Sequence, residues 1–572
     1  MGEKIRLHLK DWQFNMGLLG LYNILHFSKE HIEYEEDYIE FEQSALENFE
    51  EKYFSFLIER YGEMTHWKRL EEMALWLDDC AQDDYVDFGK KELEKVSKFI
   101  SDLKQHLKKE NYKKVYPFIE SETDIQALEK RLKTIKIVKN QAGEEGLEEL
   151  RKQHELIREI YEFVFSASGK RYLFAKNIIY NIINNSWSDI SFLNAQTKEF
   201  DVYQDFKKEF TDKTLKYLRE DKSKYKLNCF VTGLPIKGAS YAYELSFLND
   251  TGFDINRKPS NIWAYHNDIF ICDLARLVYI CMPCGLIYSG FKEAIFVNAN
   301  QNMHNLIRTN AEMYEEIDKS ASEIREKAGF FTYKALIQSI QKQEMPRGTR
   351  YELSDVQLVR MSASNKGEMR YKFNILSKDI LKVLYDARTN INAIIAAGYS
   401  EGKMYTYLYP TVIDHLMNRT NLFNLIHTLL IRKLDESQKD KNYYRVSHIE
   451  KINKINLKFM EGVSSTSMEY EVIEKMVDSA KNSGYYLAEA YKAKNAENKI
   501  NGIAYRLLNA LKTRNSELFM HTLLSCYMYI GKPVPKDIEK VLCDDELLGE
   551  MGYAFVTGLA GSILKENKEK SE

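Results

Sequence analysis

No run of roughly 18 uncharged apolar residues occurs anywhere in the 572-residue sequence, so no helical membrane span is expected. Nor does Met1 open a succession of basic, apolar and small residues. It leads straight into the alternating Ile5, Leu7 and Leu9, and the expectation is a protein that stays in the cytoplasm. Cysteine is scarce. Seven residues, Cys80, Cys229, Cys272, Cys281, Cys284, Cys526 and Cys543, are mostly scattered, which suits free thiols in a reducing compartment better than a disulfide framework. An excess of one charge is missing too: a net charge of -4 argues against a protein that coats nucleic acid indiscriminately, because phosphate affinity is mainly electrostatic. Any nucleic-acid contact has to be local. The common catalytic signatures are also lacking. There is no Gly-rich phosphate loop ending in Gly-Lys-Ser/Thr, no HExxH, no GxSxG elbow and no adjacent His-Asp pair, which weighs against a nucleotide-driven motor or a common hydrolase. No internal repeat is found.

What is present reads as α+β, predominantly α, in about three or four folding units. Ile5, Leu7 and Leu9 alternate with Arg6, His8 and Lys10 as in a half-buried strand. Asp11 and Trp12 form the exit and Asn15 offers a cap. Met16, Leu19, Tyr22 and Leu25 then follow at helical spacing through Phe27, with Gly17 and Gly20 leaving a bare face for close packing. An amino-terminal α+β domain is expected over 1–225, with charged helices from about Glu40 to Ser166. Residues 226–290 change character and form a small cysteine-bearing module, resembling a degenerate zinc knuckle. A central α/β segment spans 291–390, with strands at Val356–Val359 and Tyr371–Ile375 and a cap at Ser377. A helical bundle fills 391–572, strands being absent beyond about Asn390 and the charged last ten residues frayed.

The strongest chemical pattern is Cys281-Met-Pro-Cys284-Gly285, a turn whose two thiolates can converge on one ion. Upstream, Cys229-Phe-Val-Thr232-Gly233 has the same shape with threonine at the second ligand position, a poor zinc donor. Cys272 or His266 could supply the missing ligand, so the candidate metal set is Cys229, Cys272, Cys281 and Cys284, with zinc as the candidate ion. A metal-free packed relic is the alternative. Lys170, Arg171, Lys176, Asn177, Asn181, Asn184 and Asn185 mix cations that hold phosphates with amides that read base edges, although an amphipathic helix explains the same pattern. Arg506, Lys512 and Arg514 form a second basic cluster, and Lys90–Lys139 carries 14 basic against 8 acidic residues, an excess of 14 - 8 = 6.

Three landmarks in order resemble the CRISPR-associated large-subunit family named for its paired CxxC motifs. They are Ile5 to Trp12 with Asn15-x-Gly17-x-x-Gly20, the cysteine module, and a carboxyl-terminal set. That set is Gly502 to Leu508, Lys512 to Asn515, Tyr529 to Pro533 and Gly552 to Phe555. Thr232 departs from the family pattern. The resemblance implies a non-enzymatic subunit of a type I-B guide-RNA complex that contacts a motif beside the DNA target, helps open the duplex and holds the displaced strand. It implies as partners guide RNA, double-stranded target DNA, backbone and small subunits, and a recruited helicase-nuclease. Residues 460–572 would resemble a small subunit, and Met460 or Met468 could start such a product internally. The competing readings are a metal-dependent nucleic-acid-processing enzyme and a helical antiviral interaction protein that touches no DNA.

Overall fold

The computed structural model describes residues 4–86, 88–135, 144–187, 190–194, 196–245, 270–291, 293–321, 356–363, 369–376, 378–402, 404–461, 470–539 and 545–569. The fold is α+β and predominantly α, with small antiparallel sheets. Two compact units emerge, Met1–Tyr314 with Gln357–Phe373, and Glu315–Val356 with Asn374–Glu572.

In the first unit the strand Lys4–His8 buries Ile5 and Leu7 and turns Lys4, Arg6 and His8 to solvent, as a period of two dictates. It pairs antiparallel with Tyr38–Glu42, setting Ile5 opposite Phe41 and Leu7 opposite Ile39, and Ile32–Tyr34 lies on the far side of that strand. The buried face fixes this register, since a one-residue slip would turn Ile5 and Leu7 outward. The helix Trp12–Phe27 starts before the expected Asn15 cap. Asp11 is the N-cap, accepting from the amides of Gln13 and Phe14 at 2.9 and 3.1 Å. Asn15 is buried instead, where it accepts the Lys10 amide at 2.7 Å and donates to Asn298 Oδ1 at 3.1 Å.

The bare face of this helix meets the Cys-x-x-Cys-Gly turn. A Cβ on Gly17 would lie 2.3 Å from the Val278 carbonyl oxygen, one on Gly20 would lie 1.9 Å from that of Cys281, and one on Gly285 would lie 2.0 Å from that of Met16. Backbone therefore touches backbone, which only a residue without a side chain allows. Hydrogen bonds fix the contact: Tyr53 donates to the Ile280 carbonyl at 3.0 Å, Tyr61 to that of Leu286 at 2.8 Å, and the Asn23 amide to that of Cys284 at 3.0 Å. Beyond the turn, Ile287–Gly290, Glu293–Asn298, Val356–Ala363 and Met369–Leu376 form a four-stranded sheet in that order. The last two match the expected strand signals, while Ser377 lies outside the described residues. The charged stretch forms helices at Phe49–Tyr61, Trp67–Gln82, Lys90–Leu107, Ile125–Arg131 and Glu144–Phe165.

Among its described residues the second unit is a helical bundle with one small sheet. Its two longest helices, Tyr470–Ala493 and Asp545–Glu569, cross at glycines: a Cβ on Gly484 would lie 2.0 Å from the Phe555 carbonyl oxygen and one on Gly558 would lie 1.9 Å from that of Lys481. Ile500–Lys512 buries Leu507, Leu508 and Leu511, and Ser516–Ile530 buries Phe519, Leu523, Tyr527 and Ile530, with Leu524 turned outward. Gly531, at φ 74°, ends that helix in the left-handed conformation. Strands do recur after Asn390, contrary to expectation. Gly398–Glu401 pairs with Met404–Tyr407 and with Asn442–Tyr443, around a turn where Gly402 takes φ 60°. The charged carboxyl end continues the last helix as far as Glu569.

Replacing Gly20 or Gly484 by alanine is expected to cost about 3 kcal/mol, because carbonyl backbone cannot move aside as a side chain can. Gly502→Ala meets open space in a helix and should be neutral or stabilising by up to about 1 kcal/mol. Urea denaturation of the three variants checks the contrast.

Candidate functional site

The cysteine module begins with a short hairpin, Leu227–Asn228 against Pro235–Ile236. Its turn closes where the Cys229 amide donates to the Leu234 carbonyl and the Gly233 amide to the Cys229 carbonyl, both at 2.8 Å, with Gly233 at φ 72°. Within the turn the Thr232 amide donates to Cys229 Sγ at 3.5 Å, and the Thr232 hydroxyl lies 3.7 Å from Cys272 Sγ. Cys272 caps the helix Asp273–Ile280 from the other side. Its thiol donates to Cys229, so Cys229 ionises more readily than a free thiol while Cys272, also desolvated, holds its proton more tightly. Tyr217 donates to the Pro235 carbonyl at 2.9 Å and stands beside Cys272. Below the pair, buried Arg276 bonds Glu209 at 2.7 Å and stacks its guanidinium over Tyr243, 4.0 Å from the ring centre. A buried charge needs such a partner.

The four candidate ligands thus fall into two pairs. Cys281 and Cys284 lie beyond the helix Asp273–Ile280, which at about 1.5 Å per residue carries Cys281 roughly 13 Å from Cys272. They sit with Tyr53 and Tyr61 under the first helix, fully buried. Cys281 donates its thiol to the Leu277 carbonyl at 3.1 Å, and burial pushes both thiols well above their usual range. Among the described residues no group of three or more His, Cys, Asp or Glu is arranged to hold a metal ion. The described donors do not make up a zinc set. His266 lies outside the described residues.

The asparagine-rich stretch runs through a helical region in which most of its polar atoms are spent internally. Asn177 is buried, its amide shared between His66 and Tyr112, at 3.2 Å to the latter. Asn181 donates to Asn177 Oδ1 at 2.8 Å, and Asn185 donates to the carbonyls of Asn181 and Phe291 at 2.7 and 3.0 Å. Arg171 pairs with Glu51 and lies over Tyr203. Lys176 is only 6% exposed and has no ion-pair partner among the described residues; burial, with Lys114 nearby, pushes its pKa down to about 8. Lys170 and Asn184 are exposed, as are Arg506, Lys512 and Arg514 in the second unit. Part of the Lys90–Lys139 charge is occupied too. Lys104 and Lys108 face Glu129, Lys113 pairs with Glu110, and Lys95 lies over Trp76.

Nothing in the sequence announced the network around His66. Its ring stacks on His106 with centres 3.9 Å apart, and burial, reinforced by the nearby His106, pushes its pKa down to about 2. The two histidines come from separate helical segments with no shared motif.

These elements define a mostly helical α+β chain whose cysteine module is built into the amino-terminal unit. The family described as CRISPR-associated protein (Cas_CXXC_CXXC) matches residues 222–287, the segment that carries Cys229, Cys272, Cys281 and Cys284, and this supports a CRISPR-associated protein. No curated protein and no solved structure matches the chain.

A histidine held neutral by folding takes up protons when the chain unfolds, so acid favours the unfolded state. Stability from His66 is complete above pH 6.5 and falls steadily as pH drops toward 2. Between pH 7 and 5 the loss should be about 2 kcal/mol, and His66→Asn should flatten that part of the profile, measured as urea midpoints across pH.

Proposed function

We propose that this chain is the large, non-enzymatic subunit of a type I-B CRISPR surveillance complex, working in the cytoplasm. The family match over residues 222–287 carries the reading. Its support grows from the packing of the first helix on Val278–Gly285 inside the matched segment, so the two amino-terminal landmarks are one structural unit. In this reading guide RNA reads the target by base pairing, while the protein contacts the flanking DNA motif, helps part the duplex, steadies the displaced strand and docks a helicase-nuclease that does the cutting. A net charge of -4 agrees with a subunit held in place by backbone and small subunits, which needs local basic groups and no high affinity for free DNA. Exposed Lys170, Asn184, Arg506, Lys512 and Arg514 are assigned to such contacts. Asn177, Asn181 and Asn185 are assigned to the structure of the helix instead.

Co-expression of the tagged chain with its neighbouring genes should recover guide RNA and the other subunits, and the complex should open a matched duplex in a permanganate footprint. Metal-dependent nucleic-acid cleavage by the isolated chain would overturn the non-enzymatic assignment. Lys512→Ala with Arg514→Ala should weaken target binding alike for all flanking sequences and lower the salt slope by about two. Unchanged binding at moderate salt would remove these residues from the interface.

A small subunit made by internal initiation fits the same reading. Met460 lies in the last turn of the helix Val446–Glu461, ahead of the final helices, and Met468 lies outside the described residues. Changing both methionines to leucine should abolish a carboxyl-terminal fragment on immunoblots against a terminal tag, and its persistence would refute internal initiation at these sites.

A further inference from the structure

Two turns of the cysteine module carry a sulfur at their first position. In one, the Thr232 amide donates to Cys229 Sγ at 3.5 Å; in the other, Cys272 is the N-cap of the helix Asp273–Ile280, with Ala275 three residues on in its first turn. The two sulfurs are hydrogen-bonded to each other, and Thr232 bridges the turns through its hydroxyl, 3.7 Å from Cys272 Sγ. Positions 229, 232, 272 and 275 are therefore arranged as two facing knuckles. A pair of Cys-x-x-Cys turns would place four thiolates there, the tetrahedral donor set that structural zinc takes. Here the four positions carry a thiol, a hydroxyl, a thiol and a methyl.

We infer that the module is closed without metal, by two half-knuckles, Cys229-x-x-Thr232 and Cys272-x-x-Ala275, whose thiol-to-thiol hydrogen bond stands where a four-thiolate zinc site would be. The second knuckle is not the conspicuous Cys281-x-x-Cys284, which lies at the other end of the intervening helix and serves the first helix. Among the described residues zinc lacks donors at this centre. The Thr232 hydroxyl is neutral and already accepts the Leu234 amide at 3.3 Å, while Ala275 offers no donor and is fully buried. Two buried thiolates without a cation would repel, so one proton stays between the sulfurs. Folding of the module then rests on hydrogen bonds and packing, not on metal binding. This inference goes beyond the proposed function and does not depend on it.

The test compares the full-length wild type with Thr232→Cys/Ala275→Cys, both expressed in zinc-supplemented medium, for zinc content by elemental analysis and for thermal unfolding with and without EDTA. The wild type should carry background zinc and unfold at the same temperature with chelator. The double variant should gain about one zinc per chain and lose stability on chelation. A folded double variant that binds no zinc would show that the turns do not face each other. If the variant does not fold, the wild type decides alone: background zinc supports the inference, whereas one equivalent that is lost on Cys272→Ser overturns it.

Discussion

The first unit depends on a contact between two stretches of main chain, the helix Trp12–Phe27 and the segment Val278–Gly285. Removing three side chains, at Gly17, Gly20 and Gly285, lets carbonyl oxygens come where Cβ atoms would otherwise stand. Hydrophobic packing alone is non-directional and would tolerate sliding. The hydrogen bonds from Asn23, Tyr53 and Tyr61 to carbonyls of the turn do not, because a buried donor left without its acceptor costs about 1–3 kcal/mol. Asn15 extends the same constraint to the sheet by binding Asn298. The amino terminus, the cysteine module and the central strands are thereby set in one register, although their residues lie nearly three hundred positions apart.

The bundle solves its own version of the problem in the same way, through Gly484 and Gly558 on its longest helices. In both units glycine acts as an absent side chain more than as a flexible hinge. That distinction matters for reading sequence. Gly17 and Gly20 were legible as a bare helical face because their spacing of three puts them on one side. The partner surface was not legible, since Gly285 looks like the end of a metal-binding turn until the helix is packed on it. The strand Lys4–His8 and those at Val356 and Met369 announced themselves by alternation. The strands after Gly398 did not, being only four residues or fewer and dependent on each other.

The candidate site was half legible, for a chemical reason. Pattern recognition favours residues that are visibly reactive, so Cys281-x-x-Cys284 drew attention while Cys272 entered only as a substitute for a missing ligand. The structure separates thiols that share spacing from thiols that share a place. The asparagines show the same limit of a sequence pattern. Asn177, Asn181 and Asn185 recur at four, which sets them along one helical face where each can satisfy the next. Sequence alone cannot tell an amide pointed at a base from one pointed at its neighbour. The pairing of His66 with His106 lay deeper still, because it is created by tertiary packing of separate segments.

Taken together, these corrections move the weight of the molecule from chemistry to architecture. The cysteines nearest the first helix are protonated packing groups, the remaining pair holds a turn, and most of the conspicuous polar residues of the amino-terminal unit are satisfied internally. What stays available at the surface is a set of dispersed cations on a chain of slightly negative net charge. Dispersed cations bind a polyanion weakly one at a time and usefully only when something else fixes the geometry, since electrostatic affinity scales with the number of phosphates engaged together. A rigid unit built around backbone contacts is suited to being fixed by partners and to presenting those few cations in a set position. On the proposed reading, such a part would take its selectivity from where the assembly holds it.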